Sequence, residues 1–298
     1  MSRRILITGA NKGIGLATVK AILEQDEDTH VLLGSRHAGR GAEAVAALHR
    51  ENPAWAARLD TLQIDVADPE SVAAAREEVA ARYAGEPTPL YGLVNNAGIG
   101  LGSNDIGRVL AVNTLGVKGV CDAFEPLLAD YGRLVIVSSA SGPNFVNQCS
   151  PARQAFFCNA GVEWQDIEDL INAVIASEGD SATMNELGLG EMNAYGFSKA
   201  CVSLYTLLLA RQQPRLLINA CTPGYIATDL TLPRAEDRGL SPEELGMKSP
   251  EHGTVAIMHL LFGTPHGSGH YYGSDGKRSP MDRYRAPGDP EYLGDSTR

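Results

Sequence analysis

Tyr195 and Lys199 are the side chains in this sequence whose types and spacing speak most directly of proton chemistry. They lie four residues apart in Tyr195-Gly196-Phe197-Ser198-Lys199, where polar, Gly-rich sequence gives way to the apolar run 201–209. That setting predicts the first turn of a buried helix, with both side chains on one face. An ammonium beside a phenol favours the phenolate and lowers the phenol pKa from its ordinary value of about 10. Such a phenol could pass a proton near neutral pH. The same spacing also fits a solvated surface pair, so the elements around it decide its meaning.

The first of those elements is at the N-terminus. Ile5-Leu6-Ile7 reads as a buried strand, Thr8-Gly9-Ala10-Asn11-Lys12-Gly13-Ile14-Gly15 as a turn, and residues 16–24 as an amphipathic helix. Strand, glycine turn and helix in that order form a dinucleotide-binding unit. Gly9 permits the tight turn, Gly13 lets the backbone approach a pyrophosphate, and Gly15 lets the helix pack on the sheet. The helix N-terminus offers unpaired N–H groups and partial positive charge to the phosphates. The competing reading is a structural turn with no ligand. A second strand, residues 31–33, ends at Gly34-Ser35-Arg36. NAD sites commonly carry an acidic residue here for the ribose 2′-hydroxyl. None is present. Lys12, Arg36 and Arg40 supply three cations instead, which suits a 2′-phosphate. Solvated surface charge is the alternative, and it fits Arg40 better than Arg36.

Further on, strand 61–64 is closed by Asp65-Val66. Asp65 either meets an adenine amino group or caps the next helix, although Asp68-Pro69-Glu70 already reads as a helix start. Strand 91–94 ends at Asn95-Asn96-Ala97-Gly98, at the carboxyl edge where open α/β sheets bind ligands. Asn113 sits inside an apolar helix, where its amide must find partners: either the backbone or a held water. Strand 133–137 delivers Ser138 and Ser139 to the same edge, as ligand groups or as turn-makers. Segment 143–194 is too long for a plain connection and is expected to be an inserted subregion beside the site, with a helix over 164–177. A sixth strand, 216–219, leads into Pro223-Gly224-Tyr225-Ile226-Ala227-Thr228-Asp229. Residues 230–249 could form a lid. Helix 250–262 and a short strand near Tyr271 complete the sheet. The Pro/Gly-punctuated tail, 276–298, is expected to be loosely ordered. The whole reads as one α/β domain over 1–298, a doubly wound sheet of about seven parallel strands joined by right-handed crossovers.

Bulk properties narrow the partners. The net charge of −11 over 298 residues disfavours nucleic acid or an anionic membrane as the main partner. The five cysteines are odd in number and show no C-x-x-C spacing, so they are read as free thiols in a reducing compartment. Cys201 and Cys221, in apolar runs, are expected to be buried and inert. No metal site is expected. Neither a signal peptide nor a membrane-length apolar run is visible, which makes the cytoplasm the expected location.

Taken together, the glycine turn, Asp65-Val66, Asn95-Asn96-Ala97-Gly98, Asn113, Ser138-Ser139, Tyr195…Lys199 and Pro223-Gly224…Thr228 resemble the short-chain dehydrogenase/reductase family over nearly the whole chain. Within it the sequence is most similar to the NADPH-dependent carbonyl reductases. Three features carry that likeness: Asn11-Lys12 inside the glycine turn, Arg36…Arg40 after the second strand, and the long insertion between Ser139 and Tyr195. The resemblance implies an NADP-dependent oxidoreductase acting on a small-molecule carbonyl substrate. Tyr195 would protonate the carbonyl oxygen as hydride arrives. Lys199 would lower the Tyr195 pKa and bind the nicotinamide ribose, Ser139 would hydrogen-bond the substrate, and Asn113 would hold a water that relays the proton. Ser139 is preferred to Ser138 on the resemblance alone. The cofactor would be held by Gly9, Asn11, Lys12, Gly13, Ile14, Gly15, Arg36, Arg40, Asp65, Val66, Asn95, Ala97, Gly98, Pro223, Gly224, Ile226 and Thr228, with Tyr195 and Lys199. A monomer is implied, because the insertion would cover a helix face that other members use to associate. Two other activities fit the same residues: a dehydrogenase of a steroid-, terpenoid- or polyketide-like secondary alcohol, and a non-catalytic NADP(H)-binding sensor. A methyl transferase of related fold is the remaining rival.

Overall fold

The computed structural model describes residues 3–100 and 105–294. Apolar runs buried on both faces make the strands: β1 Arg3–Ile7, β2 Thr29–Ser35, β3 Leu59–Gln63, β4 Leu90–Asn95, β5 Leu128–Val137, β6 Leu217–Cys221 and β7 His270–Tyr272. They lie in the order β3-β2-β1-β4-β5-β6-β7, all parallel, and β8, Arg278–Ser279, adds an antiparallel edge to β7. The eighth strand was not foreseen: two residues leave no period to read.

Between the strands run α1 Gly13–Gln25, α2 Ala38–Glu51, α3 Pro69–Arg82, α4 Ile106–Leu110, α5 Gly116–Phe124, α6 Ser141–Gln148, α7 Pro151–Phe157, α8 Trp164–Ala176, α9 Ser181–Glu186, α10 Ala194–Gln212, α11 Leu232–Arg238 and α12 Val255–Phe262. A wide π turn, Ala111–Leu115, joins α4 to α5. Two apolar layers flank the sheet. Val19, Ile22, Leu48, Ile257 and Leu261 bring α1, α2 and α12 onto one face. Val72, Val79, Val120, Phe124, Cys201 and Leu208 bring α3, α5 and α10 onto the other. No helix among the described residues is long and apolar enough to cross a membrane.

Segment 143–194 folds as short helices on this second layer. Phe145 of α6, Phe157 of α7 and Phe197 of α10 pack together, with ring centroids 5.6–6.5 Å apart. On α8, which starts with a Glu163/Asp166 capping box, Trp164 stands edge-on to Tyr205 of α10 at 5.4 Å.

The described part of the C-terminal tail is held by side-chain contacts. Arg285, only 8% exposed, pairs with Asp275 and donates to Ser279 Oγ at 2.9 Å and to the Asp289 carbonyl at 2.8 Å. Tyr292 N donates to the Arg278 carbonyl at 3.1 Å. One buried guanidinium thus gathers a segment that has almost no regular structure, because each of its donors must find a partner out of water. Positions 295–298 lie outside the described residues.

The order of strands reverses between β1 and β4. Connections leave their carboxyl ends toward opposite faces there and open a crevice. Many of the candidate residues at strand ends, among them Asp65, Ala97, Ser138 and Pro223, gather along it.

Candidate active site

The glycine turn is clamped from two sides. Thr8 Oγ1 accepts from Asn96 N and Ala97 N, both at 3.1 Å, and Asn96 Nδ2 donates to the carbonyls of Thr8 (2.9 Å) and Gly9 (3.1 Å). Ala10 N donates to the Gly34 carbonyl at 2.8 Å, which ties the turn to the end of β2. Gly9, at φ +62°, lies so close to Ala97 that a methyl group there would come within 2.9 Å of its Cα. A methyl on Gly15 would come within 2.7 Å of the Gly9 carbonyl oxygen, so this glycine lets α1 seat against the turn. Lys12, at the α1 N-cap, makes no side-chain cap bond, and the first turn of α1 carries no acidic side chain. The backbone donors and dipole of that helix end are therefore available to an anion.

A cleft of about 1200 Å³ begins at this turn. Asn11, Lys12, Gly13, Ile14, Arg36 and Arg40 line one end; Asp65, Val66, Ala97 and Gly98 line the middle; Tyr195, Lys199 and Phe145 line the other end, with Pro223 and Thr228 also on the wall. Arg36 and Arg40 are exposed, and among the described residues neither pairs with a carboxylate; Arg36 Nε lies 3.3 Å from His37 Nε2. Lys12 is paired with Asp229, Nζ to Oδ2 at 2.5 Å. Asp65 accepts from Ala67 N at 3.1 Å, while Asp68 caps α3.

The other end of the cleft is set by α10. Asn193 caps it through Gly196 N at 2.8 Å and fixes the turn that carries Tyr195 and Lys199. Both are buried, at 9% and 4% exposure. Lys199 Nζ donates to the Val137 carbonyl at 2.8 Å and lies 5.7 Å from the centre of the Tyr195 ring. Burial depresses the Lys199 ammonium to about 8. Tyr195 departs from expectation. Burial pushes its phenol above the ordinary range, and a hydrogen bond with Ser139 pulls only part of the way back. Removal from water raises the phenol more than the Ser139 hydrogen bond lowers it. The phenol therefore keeps its proton at neutral pH.

The structure separates the two serines that the sequence left equivalent. Ser138 borders the cleft, but its hydroxyl is committed to the Lys199 carbonyl at 3.1 Å and to Ser203 Oγ at 2.8 Å. Ser139 is the one that reaches the Tyr195 phenol, and it also accepts from Ser141 N at 3.2 Å. Asn113, fully buried in the π turn, takes the backbone alternative: Oδ1 accepts from Ile99 N (2.9 Å), and Nδ2 donates to Ile99 O (2.8 Å) and Ser198 Oγ (3.1 Å). Its side chain ties the end of the Asn96–Gly98 wall to α10.

Some expected cofactor residues stand back from the cleft. Asn95 is buried and donates to Cys121 Sγ at 3.2 Å, so Asn96, which the sequence reading passed over, holds the glycine turn in its place. Ile226 is 2% exposed and packs toward Gly253 with Ile14, and Gly224, at φ +93°, turns toward Ser274. Within the insertion, Phe145 borders the cleft, whereas Met184 is buried in the core and Trp164 lies on Tyr205. Cys201 and Cys221 are buried, and burial raises both thiols, Cys221 to about 12.

Residues 3–151 match the sequence profile of the short chain dehydrogenase family. Carbonyl reductase (NADPH) 3 of Rattus norvegicus is 33% identical over 283 residues, covering 89% of this chain and 95% of the relative. Carbonyl reductase (NADPH) 1 of Homo sapiens is 30% identical over 277 residues, covering 89% and 92%. Among solved structures, salutaridine reductase from Papaver somniferum superposes with a TM-score of 0.72 at 24% identity, over 91% of this chain and 99% of that one. NADPH-bound carbonyl reductase from chicken fatty liver superposes with a TM-score of 0.65 at 22% identity, over 93% and 98%. A profile spanning half the chain and relatives of this identity over nearly all of it leave one assignment: the chain belongs to the short-chain dehydrogenase family.

Proposed function

We propose that this chain is an NADPH-dependent reductase that converts a ketone or aldehyde to an alcohol, with Tyr195 as proton donor. The observation that carries the reading is a proton-bearing, Ser139-bonded phenol at one end of a cleft whose other end presents Arg36 and Arg40, which have no acidic partner among the described residues. The cleft fits a dinucleotide phosphate on this chain's own features: the glycine cradle, a start of α1 without a side-chain cap, and two guanidinium groups that have no carboxylate partner among the described residues. When bound, the nicotinamide supplies the hydride. Tyr195 then gives its proton to the carbonyl oxygen, and Ser139 donates a hydrogen bond to the same oxygen as negative charge develops. Lys199 would hold the ribose hydroxyls and, as a cation, would favour the phenolate left after proton transfer. The raised phenol favours reduction over alcohol oxidation at neutral pH, since oxidation would need the phenolate at the start.

Purified protein should consume NADPH with members of a broad ketone and aldehyde panel. Arg36→Ala should raise the KM for NADPH about ten- to a hundredfold, from loss of about 1.5–3 kcal/mol of charge-assisted hydrogen bonding, and leave that for NADH nearly unchanged. An equal rise for both cofactors removes the 2′-phosphate assignment.

The reading includes a monomer in a reducing cytoplasm. Support comes from α8, which lies over α10 through Trp164 and the Glu163–Arg211 pair, and from Cys121, Cys149, Cys201 and Cys221, which are buried as thiols. Sedimentation equilibrium should give one chain mass; a concentration-dependent dimer refutes that part.

A further inference from the structure

We propose that Asp229 competes with the cofactor's 2′-phosphate for Lys12, so that binding is an exchange of Lys12 from an internal carboxylate to the phosphate. The proposal rests on the reading of the cleft as an NADP(H) site. Lys12 stands on the glycine turn, which the Ala10–Gly34 hydrogen bond fastens to the end of β2, one residue before Ser35-Arg36. Lys12, Arg36 and Arg40 thus belong to one wall. The two arginines have no acidic partner among the described residues, whereas Lys12 has Asp229 at 2.5 Å.

Asp229 arrives from the far side of the crevice, on the connection after β6. That arm is fixed: Ala227 N donates to the Lys248 carbonyl at 2.8 Å, and Thr231 Oγ1 caps its other end through Thr228 N at 3.0 Å. Thr228 crosses directly over the glycine turn, where a methyl on Gly13 would lie 3.4 Å from its Cγ2. The carboxylate is therefore delivered to the anion end of the cleft by a rigid support. Both partners remain well hydrated, at 60% and 70% side-chain exposure, which makes the pair weak and readily exchanged. Lys12 holds the Asp229 carboxyl below its ordinary range, so it is ionised at neutral pH. An incoming phosphate dianion meets a like charge at the point where it needs a cation. Asp229 is thus a selectivity and release element: it weakens the grip on the 2′-phosphate and takes Lys12 back as the cofactor leaves.

The test uses 2′,5′-ADP and 5′-AMP as probes in titration calorimetry, which isolates the 2′-phosphate from hydride chemistry. Asp229→Asn should bind 2′,5′-ADP about three- to tenfold more tightly at low salt, with 5′-AMP unchanged. In a Lys12→Gln background the same change should gain clearly less. Unchanged or weaker 2′,5′-ADP binding overturns the proposal, as does an equal gain for both probes or an undiminished gain without Lys12. A wild-type chain that holds 2′,5′-ADP no better than 5′-AMP removes the NADP(H) reading and the proposal together; a wild type with that preference and an unresponsive Asp229→Asn removes the proposal alone.

Discussion

A Tyr195→Phe protein will reduce its carbonyl substrates about 10²- to 10⁴-fold more slowly than wild type, the range that a positioned general acid contributes. The loss will fall on kcat, because the ring remains and only the hydroxyl goes. Phe197, two residues further along α10, packs against Phe145 of α6 and Phe157 of α7, so the fold has little reason to respond. NADPH binding, followed by quenching of its fluorescence, will stay within a few fold of wild type, since the 2′-phosphate end of the cleft is untouched. The phenol is the group with a proton to give: burial keeps it protonated, and Ser139 holds it in place. A variant that turns over as fast as wild type removes Tyr195 from the mechanism; one that loses cofactor binding in parallel makes it a structural residue.

Much of this site was legible because its signals are local. Gly9, Gly13 and Gly15 announce a turn that only glycine permits, and the observed positive φ at Gly9 and Gly13 and the crowding at Gly15 follow from that need. The strands declared themselves as short apolar runs, and Tyr195 and Lys199 as an i, i+4 pair. What stayed hidden depends on distant partners. Nothing in Asn95-Asn96 says which amide turns to Cys121 and which to Thr8, since β4 is buried on both faces and its alternation carries no inside or outside. Ser138 and Ser139 were equivalent until Ser203, 65 positions later, claimed one hydroxyl. The sign of the Tyr195 shift was misread for the same reason. Sequence spacing shows the nearby cation, while the depth of burial emerges only when α6 and α10 close over it. In the tail, composition reports only propensity, and the Arg285–Asp275 pair could not be read from it.

Lys199→Met will inactivate the enzyme and yet stabilise the cofactor-free protein at neutral pH. Lys199 is 4% exposed, with a pKa lowered from 10.5 to about 8 by burial. At about 1.4 kcal/mol per pH unit, holding that proton costs the native state roughly 3 kcal/mol. The cost is present in full below pH 8, where both the folded and unfolded chains carry the proton. It declines between pH 8 and 10.5, where the unfolded chain is still protonated and the folded chain is not, and vanishes above. Methionine fills similar volume without charge, but it leaves the Val137 carbonyl without its donor, a loss of about 1–2 kcal/mol. The net gain is therefore about 1–2 kcal/mol at pH 7, shrinking to nothing or reversing by pH 10.5. Urea denaturation at the two pH values reads it directly. Turnover should drop at least about a hundredfold, because the phenolate left after proton transfer loses its cation. A variant less stable than wild type at pH 7, or a stability difference that ignores pH, shows that the ammonium is not held against its solvation. A lysine that the fold tolerates at a loss, four residues from the phenol it serves, is then retained for the reaction and not for the structure.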